Sequence, residues 1–141
     1  MNYHLNQLAE DLLQLPDEVR ESALRLAELE TSLATAKAFM VPDAAKALEM
    51  ATIQSTALAM ENGALNGSNQ QKRDVQLTLW LEMDETVLEA ENNLREAKDF
   101  LLSTEYKVAE ARANHRWCVD RLNVRRAIAE LNAAWLQSTK E

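Results

Sequence analysis

A chain of 141 residues with a net charge of −8, two glycines, two prolines and 27% charged residues fits a single domain of long helices or a coiled coil. Hydrophobic residues make up 47% of it, yet no run of about 18 apolar residues could span a membrane, and no charged-then-apolar leader is read at its start. The lone cysteine, Cys118, excludes an internal disulfide and has no metal-ligand spacing, so the expected location is cytoplasmic.

From Leu5 to Met40, apolar residues recur in a 3-4 alternation, with Ser22 filling the one gap. That spacing is the seam of a coiled coil. Pro16 interrupts hydrogen bonding without disturbing the phase, so a helix is expected to start near Pro16-Asp17; a kinked continuous helix is the alternative. After Met40 the phase moves by one position, to Ala44, Leu48, Ala51 and Leu58, and a kink or break is expected beside Pro42.

The stretch ENGALNGSNQQKRD (61–74) holds both glycines, each after an asparagine. Such pairs tolerate the left-handed backbone angles of a helix C-cap and a chain reversal. Gly63, Asn66, Gly67 and Ser68 are the expected turn residues, with Ser68 and Gln71 forming a capping box for the next helix.

Beyond the turn, a second series runs from Trp80 to Leu136. It contains 13 apolar residues in 17 places, the exceptions being Thr104, His115, Arg125 and Asn132. No proline or glycine follows Gly67, so one helix over about 70–137 is expected. The expectation is an all-α fold: a long antiparallel helical hairpin or coiled coil in a single domain over 1–141. Arm 1 spans about 17–60, the turn about 61–69 and arm 2 about 70–137.

A further apolar stripe starts at Trp117 and continues through Val124, Ile128, Leu131 and Trp135, with Arg121 in the remaining place. A helix with two stripes touches more than one neighbour. Residues 2–14 folded back as a short helix could cover it, or a second chain could, which makes a homo-oligomer, a dimer first, the expected assembly. Trp117, Arg125, Ile128, Leu131, Asn132 and Trp135 form the candidate interface. Arg125 and Asn132 are polar residues on the seam, where such residues can fix register or oligomer number. All three tryptophans read as core packing, with an exposed interface or base stacking as alternatives.

Charge is uneven: residues 111–141 carry six bases against three acids, the reverse of the preceding chain. Arg112, Arg116, Arg121 and Arg126 are therefore a candidate surface for nucleic acid or an acidic partner. The competing reading is charge pairing between the arms. With a reversal near residue 65, Arg112 would face Glu18, and Arg121 would face Glu10 and Asp11. His115 and Cys118 occupy adjacent seam places and read as a satisfied polar interior, since neither Cys-x-x-Cys nor Glu-x-x-His occurs. No phosphate-binding glycine loop, nucleophile elbow or Ser-His-Asp set is present, and a thin hairpin has little room for a pocket. A non-enzyme with no catalytic residue, cofactor or metal is expected.

The segment NGSNQQKRDVQL, followed by an acidic patch and a helix ending RRAIAELNAAWL, resembles small uncharacterised helical proteins of bacteriophages and prophages. The matching positions are Asn66, Gly67, Asn69 and Arg73, and the likeness extends over about 62–137. Ser68 stands where a lysine often follows the turn glycine in those proteins. The resemblance implies a phage-encoded accessory role in DNA metabolism. Two functions are thus carried forward: an interaction or assembly protein, and a nucleic-acid-binding accessory protein of recombination or replication.

Overall fold

The computed structural model describes residues 2–140, and among these the chain is all-helical. Helix α1 spans Asn2–Thr35, a π turn spans Ala36–Met40, α2 spans Val41–Glu61, α3 spans Gln70–Met83 and α4 spans Glu85–Lys140. No helix among the described residues is long and apolar enough to cross a membrane.

The helix start expected at Pro16 is not there: α1 runs through with Pro16 inside it. A proline in a helix interior loses one hydrogen bond and crowds the preceding turn, at about 3 kcal/mol. Packing offsets that cost, because Leu8, Asp11 and Leu15 are all buried around it. Residues 2–14 therefore continue α1 and do not fold back as a separate helix.

The phase change near Pro42 is made by the π turn. Val41 N–H reaches back five residues to the carbonyl of Ala36, closing a ring with one residue more than an α-helical one. Helical angles persist through Thr35 and Val41, so the chain inserts a residue without breaking. Pro42 then falls in the first turn of α2, where a missing N–H is tolerated.

Helix α2 ends in a Schellman arrangement: Gly63 N–H donates to Met60 O at 3.2 Å and Ala64 N–H to Ala59 O at 2.9 Å. Gly63 carries the required left-handed backbone, with φ of 68°. Gly67 is there for a different reason. A Cβ on it would lie 2.7 Å from Lys72 Cβ and 3.1 Å from the Arg73 nitrogen, so only glycine lets the loop lie against α3. Gln76 straps the loop down, its amide donating to Asn66 Oδ1 (2.8 Å) and accepting from Gly67 N–H (2.9 Å). The cap of α3 is Asn69 and not Ser68: Asn69 Oδ1 accepts from Lys72 N–H at 2.9 Å, while Ser68 Oγ receives Lys72 Nζ at 3.3 Å. Ser68 lies one residue too early, since the first backbone bond of the helix runs from Arg73 to Asn69.

The single second arm is broken at Asp84, whose backbone is extended. Its Oδ1 accepts from Thr86 N–H at 2.9 Å and its carbonyl from Leu88 N–H at 3.0 Å, so it caps α4.

The chain divides into two compact units, one made of Met1–Ser32 with Thr104–Glu141 and the other of Leu33–Ser103. In the first, Leu8, Leu15, Val108, Ala111, Cys118 and Leu122 are buried. In the second, Ala51, Val87 and Ala90 form a cluster with Leu48 and Leu81 packed against it. Along α4, every place of the expected seam from Val87 to Asn132 is buried or half-buried. Met83 and Leu136, at its ends, are exposed, as is Leu58, whose place is taken by buried Ala59.

Candidate functional site

The arginines of α4 meet acids of α1, in a register displaced from expectation by about two to three helical turns. Arg112 pairs with Glu30 at 3.2 Å rather than Glu18, and Arg121 with Glu18 at 3.9 Å rather than Glu10 or Asp11. The reversal takes more chain than a tight turn at residue 65 would, because α3 and the Asp84 break add residues to the second arm. Ser55 in α2 consequently meets both Trp80 and Asp84. The pairs of Arg112 and Arg121 lie at the surface, where such contacts stabilise by about 0–1 kcal/mol. Arg116 and Arg126 are exposed and form no ion pair among the described residues.

Arg125 differs from the others. Its Nε lies 3.0 Å from Asp11 Oδ2, and the Asp11 side chain is only 6% exposed against 37% for Arg125. Although close, the two atoms are not aligned for hydrogen bonding, and neither has another partner. The contact is thus an ion pair, with Gln7 Nε2 donating to the other carboxylate oxygen at 3.1 Å. Asn132 lines the same small cavity of about 330 Å³ beside Leu5, Leu8 and Ile128. About three helical turns away, Ser22 Oγ donates to the Val19 carbonyl and lies 2.8 Å from His115 Nδ1. A hydroxyl has one proton, so His115 is the donor to Ser22. Cys118 is buried on the same seam.

Sequence reasoning missed a polar cluster in the second unit. Ser55, 2% exposed, accepts from the Trp80 indole N–H at 3.0 Å and donates to Asp84 Oδ2. The Ser55 hydroxyl holds the Asp84 carboxyl below its usual value; desolvation opposes this, and the Thr86 and Val87 amides assist it. A signal was available: an aspartate before Glu85 and Thr86 is an ordinary N-cap pattern even without glycine or proline. Beside it lies an open cleft of about 470 Å³ lined by Ala64, Gln76, Leu79, Trp80, Met83 and Asp84. A depressed carboxylate stabilises above its unfolded value of 3.8, and this contribution fades as pH falls through the lower folded value. Ser55→Ala should therefore lower the melting temperature at pH 7, with the gap to the parent narrowing as pH falls below 3.8 and the loss of the Trp80 hydrogen bond remaining. A gap independent of pH would mean that the hydroxyl does not serve the Asp84 charge.

The second stripe of α4 is open. Trp117 is 57% exposed, Trp135 65% and Leu131 71%, with Val124 and Ile128 also at the surface. This overturns the core-packing reading for Trp117 and Trp135, leaving only Trp80 half-buried. Arg121 lies over the Trp117 ring, 5.3 Å from its centroid, which holds the guanidinium at the edge of the stripe. Helix α1 reaches only the inner edge of the stripe, where Glu18 pairs with Arg121 and Leu5 and Leu8 line a cavity with Ile128.

Against protein-family models, curated proteins and solved structures, the chain gives no match. Its site is read from its own chemistry. Among the described residues, no group of three or more His, Cys, Asp or Glu is gathered as a metal would need. What α4 does present is an exposed apolar strip from Trp117 to Trp135 with Arg121 set within it, a contiguous patch of the kind that marks interaction surfaces.

Proposed function

We propose that the chain is a non-enzymatic interaction and assembly protein of phage or prophage type that works in the cytoplasm. In this reading α1 and α4 pair as an antiparallel coiled-coil hairpin, and α4 holds a second face for association with another chain. The observation that carries it is the exposed stripe Trp117, Val124, Ile128, Leu131 and Trp135. Its exposed apolar area is on the order of 500–600 Å², at the upper limit of what monomers ordinarily leave open. Tryptophans at both ends add the side chain most enriched among energetic anchors of interfaces.

The second reading, nucleic-acid binding, draws support from Arg116 and Arg126, which are exposed on the same helix as the two open tryptophans. Light scattering coupled to size exclusion tests the first reading. The parent chain should run as a dimer at about 100 µM, a concentration well above micromolar dissociation constants. The double variant Trp117→Ala/Trp135→Ala should run as a monomer with unchanged helicity. A monomeric parent that binds DNA at low salt, with binding lost in Arg116→Gln/Arg126→Gln and falling steeply as salt rises, would replace the first reading by the second.

A further inference from the structure

We infer that the partner on this face is a second copy of α4, running antiparallel about a two-fold axis level with residue 126, with Trp117 of one copy against Trp135 of the other. The inference rests on the assembly reading above and adds the partner, direction and register.

Three observations lead to it. The first is the order of side chains. The stripe occupies 117, 121, 124, 128, 131 and 135, a strict 4-3 spacing that keeps one face toward a neighbouring helix along its length. Taken from either end it starts with tryptophan and has a β-branched residue at the third place: Trp117, Arg121, Val124 from one side, Trp135, Leu131, Ile128 from the other. An interface across a two-fold axis requires that if one residue meets another, the reverse contact also occurs. Antiparallel pairing level with residue 126 satisfies this, giving Trp117 to Trp135 and Val124 to Ile128, each twice.

The second observation concerns charge. Arg121 is the one ionised residue in the stripe, and its guanidinium is already engaged by the Trp117 ring and Glu18 of its own chain. A parallel, in-register pair would set the two Arg121 side chains face to face. The antiparallel register places each opposite Leu131 of the other copy and separates the two by ten residues, about 15 Å along the axis. That exceeds the screening length of about 8 Å at physiological salt, so their repulsion is small.

Area is the third. About 500–600 Å² from each copy gives a total near 1,100 Å², just above the roughly 1,000 Å² that separates biological interfaces from chance contacts. The row preceding the stripe is Ala113, Asp120, Ala127 and Ala134, all exposed. Three alanines of four leave room for two helix backbones to approach at the short end of the usual 8–10 Å range. The adjacent row on the other side belongs to the seam with α1, so one side of the stripe remains free for the second copy.

Disulfide trapping tests direction and register separately from association. Two differently tagged chains, Val124→Cys and Ile128→Cys, are prepared in a Cys118→Ala background, mixed, and oxidised mildly. Both substituted positions are at the surface, and circular dichroism checks that helicity is retained. The mixed 124–128 product should exceed either like-with-like product severalfold. If 124–124 and 128–128 products dominate, or if a dimer seen by light scattering gives no trapped product, this pairing is wrong while the assembly reading stands. A parent chain that stays monomeric at about 100 µM, well above the constants of interfaces this size, removes both.

Discussion

Arg125→Leu will destabilise the protein by about 3 kcal/mol, whereas Asp11→Leu at the same contact will be close to neutral. The two substitutions break one ion pair, but the residue left behind differs. Without Arg125, the Asp11 carboxylate stays 94% buried, as its side chain is 6% exposed, with only Gln7 donating to it. Without Asp11, the guanidinium is already 37% exposed and can turn to water. Leucine also suits both places, which sit among Leu8, Leu122 and Ile128. The double variant should accordingly recover the stability of the parent or exceed it, as apolar replacement of buried pairs often does. Urea melts of the four chains complete the cycle. Equal costs for the two single variants would mean that the burial asymmetry does not govern this pair.

Leu15→Ala is expected to cost a similar amount, about 3 kcal/mol, and to do so unevenly along α1. Leu15 is 1% exposed, the most fully buried large side chain of its unit. It also adjoins Pro16, where the helix lacks a hydrogen bond and continues only because its inner face is packed. Truncating Leu15 removes the packing that offsets the proline at the point where the backbone is weakest. Hydrogen exchange should show residues 5–14 losing protection first, with residues 17–32 changed less. Uniform loss along α1 would mean that Pro16 is not a weak point.

The inner face of α4 was legible from apolar spacing over many turns, because burial along a long helix repeats with its period and one error does not propagate. The turn was legible in outline from its Asn-Gly pairs, though its two glycines serve unlike purposes: backbone angle at Gly63 and space at Gly67. Three features were hidden by tertiary packing. Pro16 signals a boundary locally, and only the burial of Leu15 and Asp11 shows that α1 passes through it. Asp84 interrupts a pattern that has no glycine or proline, since a short aspartate side chain can cap a new helix wherever Ser55 is there to meet it. Asp11 was expected opposite Arg121 and instead meets Arg125, since the register between the arms depends on how much chain the reversal takes. The exposed tryptophans were misassigned for a related reason. Aromatic residues at helical spacing mark an apolar face, and spacing alone does not say whether the chain's own helices cover it.

The π turn sets the rotational phase of everything after it within its unit. Wound as an ordinary α-helix with the same number of residues, 36–40 would carry α2 about 100° further round. Met50, Gln54 and Leu58 would then point where Ala51, Ser55 and Ala59 point now, setting larger side chains beside Val87 and Trp80. The hydroxyl that joins Trp80 to Asp84 would face away from both. Removing one residue from 36–40 should instead leave the inward face of α2 in place, because the deletion and the return to α-helical winding cancel. The π turn is slack taken up at one point, so that the face after it still meets its neighbours.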